Sequence, residues 1–338
     1  MRRPPRHALA LLALLGASGC AHAPAPAARP EVVWPLPPAA PRVRLVDVHP
    51  DPARPAPRPP AWRRVIDAVV GIDRAASAAA LFARPFGLAV GPGGEILVAD
   101  PDLPGVVRLL PGGRSERVAC RDRAWRAPMA VALAAGGDLL VADAGAAEIV
   151  RVAGGACRRL GAGALERPTG VAVVGERLFA VDPPRHEVVE LSPDGAAVRR
   201  FGGLGETGGS LHFPTAIAAA PDGTLLVVDA LNFRVARFTP EGAFLGAFGS
   251  PGETDGAFAR PKGVAVSPSG AVFVSDAQRE LVLAFRADGT FDHALGASGS
   301  GPGLFALPAG LAVAGGRLHV ADSQNGRVQV FEILGGPR

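Results

Sequence analysis

The chain has 338 residues, enough for one large domain or two ordinary ones. Hydrophobic residues make up 48% and charged residues 20%, so it can bury a core, and 44 Gly with 34 Pro suit a turn-rich fold more than a helical one. The formal net charge of +4 belongs to the N-terminal region; from Trp62 onward the signs balance to within one residue (27 basic, 28 acidic), which excludes the overall electrostatic footprint of a DNA or RNA binder. Three cysteines exclude a four-cysteine zinc site, and the absence of tyrosine excludes any mechanism that needs a tyrosyl acid, base or nucleophile.

Residues 1–19 read as a lipoprotein signal peptide. Arg2, Arg3 and Arg6 precede an apolar run from Ala8 to Leu15, too short for the ~20 residues that span a bilayer. Ala17-Ser18-Gly19-Cys20 resembles a bacterial lipobox, which implies cleavage before Cys20 and lipidation of that residue. With Ala21 rather than Asp after it, the sorting rule implies the outer membrane of a cell envelope, on its periplasmic or surface side. A Pro-rich tether is expected over 20–41, since residues 21–61 hold 13 prolines, a composition that favours extended, semi-rigid chain. The segment 42–84 is expected to hold a strand and a short helix. Val43 to Val48 alternates as a strand does, whereas Trp62, Val65, Ile66, Val69 and Val70 share one helical face, expected to pack on the domain.

The remainder, 85–338, repeats. Pro85, Pro128, Pro168, Pro214, Pro261 and Pro308 are spaced by 43, 40, 46, 47 and 47 residues. Asp100, Asp143, Asp182, Asp229, Asp276 and Asp322 follow them by 14 or 15. Each unit reads as apolar run, glycine turn, apolar run ending at the Asp, loop, third run, turn and fourth run, as in Gly263–Val266, Ala271–Asp276, Leu281–Phe285. Six four-stranded antiparallel units of this length predict an all-β six-bladed propeller, in which each blade is buried only by its neighbours, so the ring must close. The last unit ends after its third strand near Phe331, so its outer strand has to come from the N-terminal side; Arg42–Val48 alternates and is chosen over the helically spaced Arg63–Val70.

The units resemble the NHL-repeat family. Phe258-Ala259-Arg260-Pro261-Lys262-Gly263, Asp229-Ala230-Leu231-Asn232-Phe233-Arg234-Val235 and Asp322 to Phe331, with Asn325 and Arg327, carry its pattern. The first two units lack the Asn-x-Arg and the long glycine loop. The resemblance implies the fold more than an activity, because one fold hosts many functions.

The inner strands, expected at Gly87–Val90, Ala130–Leu133, Gly170–Val173, Ala216–Ala219, Gly263–Val266 and Gly310–Val313, line the axial channel, and none of these stretches carries His, Cys, Asp, Glu, Ser or Lys. The channel mouth is expected at Phe86, Met129, Thr169, Thr215 and Lys262, with Ala309, which make no catalytic constellation. One Asp per blade at a strand end is expected to accept loop N–H groups and not to hold calcium. His319 occupies a slot held by Leu97, Leu140, Phe179, Leu226 and Phe273, so it reads as packing. His186, His212 and His293 share no register, and no zinc spacing occurs. Peptide-amidating lyases and calcium-dependent lactonases resemble this fold, but their His, Tyr or acidic channel residues have no counterpart. No cofactor or metal is expected.

Cys120 and Cys157 fall about five residues apart when counted along adjacent outer strands, roughly 16 Å, beyond the ~7 Å Cα reach of a disulfide, so they are expected unpaired. The mouth face collects Arg84, Arg167, Arg185, Arg260, Lys262 and Arg279, with Arg126, Arg234 and Arg327 nearby. Guanidiniums suit bidentate contacts to carboxylates or phosphates. The expectation is therefore a monomeric, non-enzymatic, envelope-anchored scaffold whose loop face engages a protein or peptide partner, anionic in character. The alternatives are a metal-dependent lyase or hydrolase, and a small-ligand or glycan binder.

Overall fold

A computed structural model describes residues 31–50 and 81–335. Cys20, the signal peptide and the helix expected near 63–70 lie outside the described residues.

The repeating part forms six blades. Blade 1 runs Leu88–Val90, Ile96–Asp100, Gly105–Leu109, Ser115–Val118, and blade 2 runs Pro128–Leu133, Leu139–Asp143, Glu148–Ala153, Ala156–Leu160. Blade 3 is Gly170–Val174, Arg177–Asp182, Glu187–Leu191, Ala197–Gly202, and blade 4 is Pro214–Ala219, Leu225–Asp229, Arg234–Phe238, Phe244–Phe248. Blade 5 is Pro261–Val266, Val272–Asp276, Leu281–Phe285, Phe291–Leu295, and blade 6 contributes Pro308–Ala314, Arg317–Asp322 and Arg327–Ile333. Every neighbouring pair within a blade is antiparallel.

Burial follows position in the blade. The second strands are buried at every residue in blades 1, 2, 4 and 5, because both faces are covered by adjacent blades; they read as unbroken apolar runs for that reason. The outer strands are largely exposed, as in Ala197–Gly202, and carry the polar residues. The apolar core is divided among the blade seams, for example Phe179 and Val188 of blade 3 against Ile217 and Phe238 of blade 4.

Val43–His49 pairs antiparallel with Arg327–Ile333 and completes blade 6, so the N-terminal closing strand is the one that alternates. Val43 and Val48 are both buried although they stand five residues apart, because the register shifts between Leu45 and Asp47; Val46 and Asp47 at that shift are exposed. The proline-rich stretch also enters the fold. Val33–Trp34 adds a fifth strand beyond the closing one, and Trp34 packs edge-on against Phe331 at 5.7 Å.

Cys120 and Cys157 form a disulfide, with Cα atoms 5.6 Å apart, which corrects the expectation that they are too distant. Counting along strands treats adjacent outer strands as parallel and level. Sheet twist accumulates to the fourth strand, and Cys120 lies beyond the end of its strand at Val118, in the segment that crosses to blade 2. There it meets the start of the outer strand Ala156–Leu160, within one apolar cluster shared by the two blades.

Candidate functional site

The Asp series fixes the loops of the mouth face. Asp100, Asp143, Asp182, Asp229, Asp276 and Asp322 are all buried. Each accepts backbone N–H groups just ahead of the inner strand of its own blade: Ala83 and Arg84 on Asp100, Glu166 and Arg167 on Asp182, Ala259 and Arg260 on Asp276. Asp143 takes Arg126 and Ala127, Asp229 takes His212, and Asp322 takes Ala306. Six carboxylates are thereby used inside the scaffold, as a buried charge requires.

Phe86, Met129, Thr169, Thr215 and Lys262 line the mouth together, as the repeat register implies. The inner strands crowd one another there. A Cβ on Gly310 would lie 2.1 Å from the Phe86 carbonyl, and one on Gly263 would lie 2.3 Å from the Ala309 carbonyl, so only glycine permits this approach. Hydrogen bonds run around the rim from blade to blade: Thr169 Oγ1 to the Thr215 carbonyl (3.0 Å), Thr215 Oγ1 to the Lys262 carbonyl (3.1 Å), and Gly310 N–H to the Phe86 carbonyl (2.8 Å). The remaining cavity is about 60 Å³, far below the roughly 300–1,000 Å³ of a small-molecule pocket. The mouth is a rigid, shallow floor.

The basic residues divide into two sets. Arg234 and Arg327 pair with Asp229 and Asp322 and also donate to loop carbonyls; Arg279 donates to the Thr254 and Ala257 carbonyls. Arg84 makes a two-point contact with Asp102, and Arg185 lies 3.6 Å from Glu166 and 3.8 Å from Asp182. Arg126, Arg167 and Arg260 are exposed, with no side-chain hydrogen bond or ion pair among the described residues.

Lys262 belongs with the second set. Its Nζ reaches from blade 5 across the mouth to within 5.8 Å of the Phe86 ring centroid in blade 1, at cation–π range. Burial lowers its pKa, and the charges of Arg260 and Arg84 lower it further. Three cations thus converge beside Phe86, and of these only Arg84 has an acidic partner among the described residues.

Two features of this face went unread in the sequence. The residue before each blade proline alternates in kind around the ring: Arg84, Ala127, Arg167, Phe213, Arg260, Leu307. Phe213 and Leu307 are 38% and 40% exposed, so apolar side chains stand between the arginines. The signal was present in the proline register. His186 and His212, which share no register, meet across the seam of blades 3 and 4 with ring centroids 5.6 Å apart, and His186 Nδ1 accepts the Phe213 N–H at 2.9 Å. Only the ring brings them together. Among the described residues, no three His, Cys, Asp or Glu side chains group to hold a metal.

Residues 305–331, which run across the first two strands of blade 6 and most of the third, match the family model of the NHL repeat. No curated protein matches the sequence. Among solved structures, virginiamycin B lyase from Staphylococcus aureus superposes with TM-score 0.56 at 14% identity, covering 75% of this chain and 96% of that one. A gluconolactonase from Xanthomonas campestris gives 0.59 at 18% identity, covering 75% and 88%. A chain of a nidogen/laminin complex gives 0.52 at 19% identity, covering 63% and 80%. These likenesses show the propeller fold.

Proposed function

We propose that this chain is a non-enzymatic binding propeller, anchored in a bacterial envelope by a lipid on Cys20, that engages an anionic protein or peptide through its mouth face. The observation that carries the reading is the set Arg167, Arg260 and Lys262: three cations without acidic partners among the described residues, on a face where every buried carboxylate is already used. Guanidiniums bind carboxylates bidentately, and the interposed Phe213 and Leu307 offer apolar contact to the same partner. A rigid floor with a cavity of only about 60 Å³ suits a surface contact better than an enclosed substrate.

The test is affinity capture from the native cells with the full chain and with the triple variant Arg167→Glu/Arg260→Glu/Lys262→Glu. Charge reversal at a rim acts chiefly on association and its salt dependence. A specific partner, lost by at least tenfold in the variant while the unfolding transition is unchanged, is the expected result; equal capture by both chains overturns the basic-face reading. The anchor is tested separately: Cys20→Ser should move the protein from the membrane fraction to the soluble one.

A further inference from the structure

On the face opposite the mouth, the seam between blades 5 and 6 opens into a groove of about 490 Å³, within the roughly 300–1,000 Å³ of small-molecule sites. Phe273 and Ala284 of blade 5, Ile333 at the end of blade 6 and Leu334 just after it make its walls apolar. Similar seams between blades 2 and 3 and between blades 4 and 5 open to about 340 and 390 Å³, but no histidine lines them.

The groove at blades 5 and 6 is lined by His293, which is 7% exposed. Its Nδ1 lies 2.8 Å from Asp292 Oδ2, and Asp292 in turn lies 3.6 Å from Arg286. Its Nε2 is sealed from solvent and has no hydrogen-bond partner among the described residues. Burial depresses the imidazole pKa, so the ring is neutral near pH 7. With the Nδ1 proton on the Asp292 side, Nε2 presents a lone pair and calls for a donor. Arg42 also lines the groove. Its charge acts on Asp292 and His293, and its side chain makes no hydrogen bond or ion pair among the described residues. Asp292 is already engaged by His293 and Arg286, so the guanidinium of Arg42 is the uncompensated charge. The surface therefore combines an apolar wall, one buried acceptor and one cation.

We propose that this seam binds a small apolar carboxylic acid that also carries a hydroxyl. The acid pairs with Arg42, the hydrocarbon lies along Phe273, Ile333 and Leu334, and the hydroxyl donates to His293 Nε2. Reaching Nε2 takes a rotamer change in the wall that covers it. The site is independent of the mouth face and of any partner bound there.

The experiment titrates the full chain with 3-hydroxyoctanoate, octanoate and 1-octanol by calorimetry, and follows the isoleucine methyl groups by NMR. Saturable binding of 3-hydroxyoctanoate is expected, with Ile333 shifting and Ile149 and Ile217, at other seams, unmoved. Octanoate and 1-octanol should each bind roughly tenfold more weakly, the loss of one polar contact. Arg42→Gln should weaken both acids at least tenfold. His293→Leu should erase the preference for the hydroxylated acid and raise the melting temperature of the free protein, since the unpaired buried nitrogen is removed. Absence of saturable binding, saturation with Ile333 silent, or a hydroxyl preference surviving His293→Leu would each overturn the proposal.

Discussion

Arg327 Nε lies 2.6 Å from Asp322 Oδ2, both side chains nearly buried, and the same guanidinium donates to the carbonyls of Ser300, Gly301 and Leu304. This arginine ties the loop entering blade 6 to the strand that the N-terminal segment closes. Arg167, on the same face, makes no such side-chain contact among the described residues.

The two arginines should therefore separate cleanly on truncation. Arg327→Ala leaves Asp322 as a buried charge short of a partner and should cost about 3–5 kcal/mol. Arg167→Ala should stay within about 0.5 kcal/mol, as exposed substitutions do. Urea unfolding of both variants checks this; similar losses would show that Arg167 is part of the scaffold and not of a binding face.

His319 supplies a pH dependence. It is 5% exposed, its Nδ1 has no partner among the described residues, and burial pulls its pKa down to about 4, with the charges of His49 and Arg317 adding to the effect. A base with a depressed folded pKa binds fewer protons in the native state, so stability falls as pH drops from about 6.5 to about 4 and is unaffected above that window. At pH 5 this amounts to about 2 kcal/mol. His319→Leu, which restores the residue type of three equivalent blade positions, should remove that loss. Unfolding free energies at pH 5 and pH 7.5 decide it, and an unchanged difference between the two pH values would refute the assignment.

The disulfide Cys120–Cys157 closes a loop with a sequence separation of 37 residues and joins blades 1 and 2. Loop-closure entropy puts its contribution at about 3–4 kcal/mol. The double variant Cys120→Ser/Cys157→Ser should lose about that much in equilibrium denaturation, and added reductant should then have no further effect on it.

Trp34 tests where the propeller begins. It is buried against Phe331, and its indole fills the space beside Gly303. Trp34→Ala should cost about 3–5 kcal/mol, the range for emptying a large aromatic site. A change below 1 kcal/mol would place residues 31–36 outside the cooperative unit.

The sequence by itself determined the blade count, the buried role of the Asp series, the mouth residues and the closing strand. Each of these is a local, one-dimensional signal: a proline-to-aspartate interval repeated six times, or an alternation such as Val43 to Val48 against the helical spacing of Trp62 to Val70. The tertiary structure decided what depends on contacts between blades. Arg327 and Arg167 are both basic residues of one loop face, yet the folded loop entering blade 6 satisfies the first while the second stays exposed. Cys120 and Cys157 look distant in strand count and meet because twist and the crossing segment bring blade edges together. His186 with His212, Trp34 with Phe331, and Arg42 with His293 are likewise neighbours only once the ring is closed. A blade's sequence specifies its own hydrogen-bonded register, but charge compensation and pocket chemistry at a seam depend on what the adjacent blade presents, and that is set by packing.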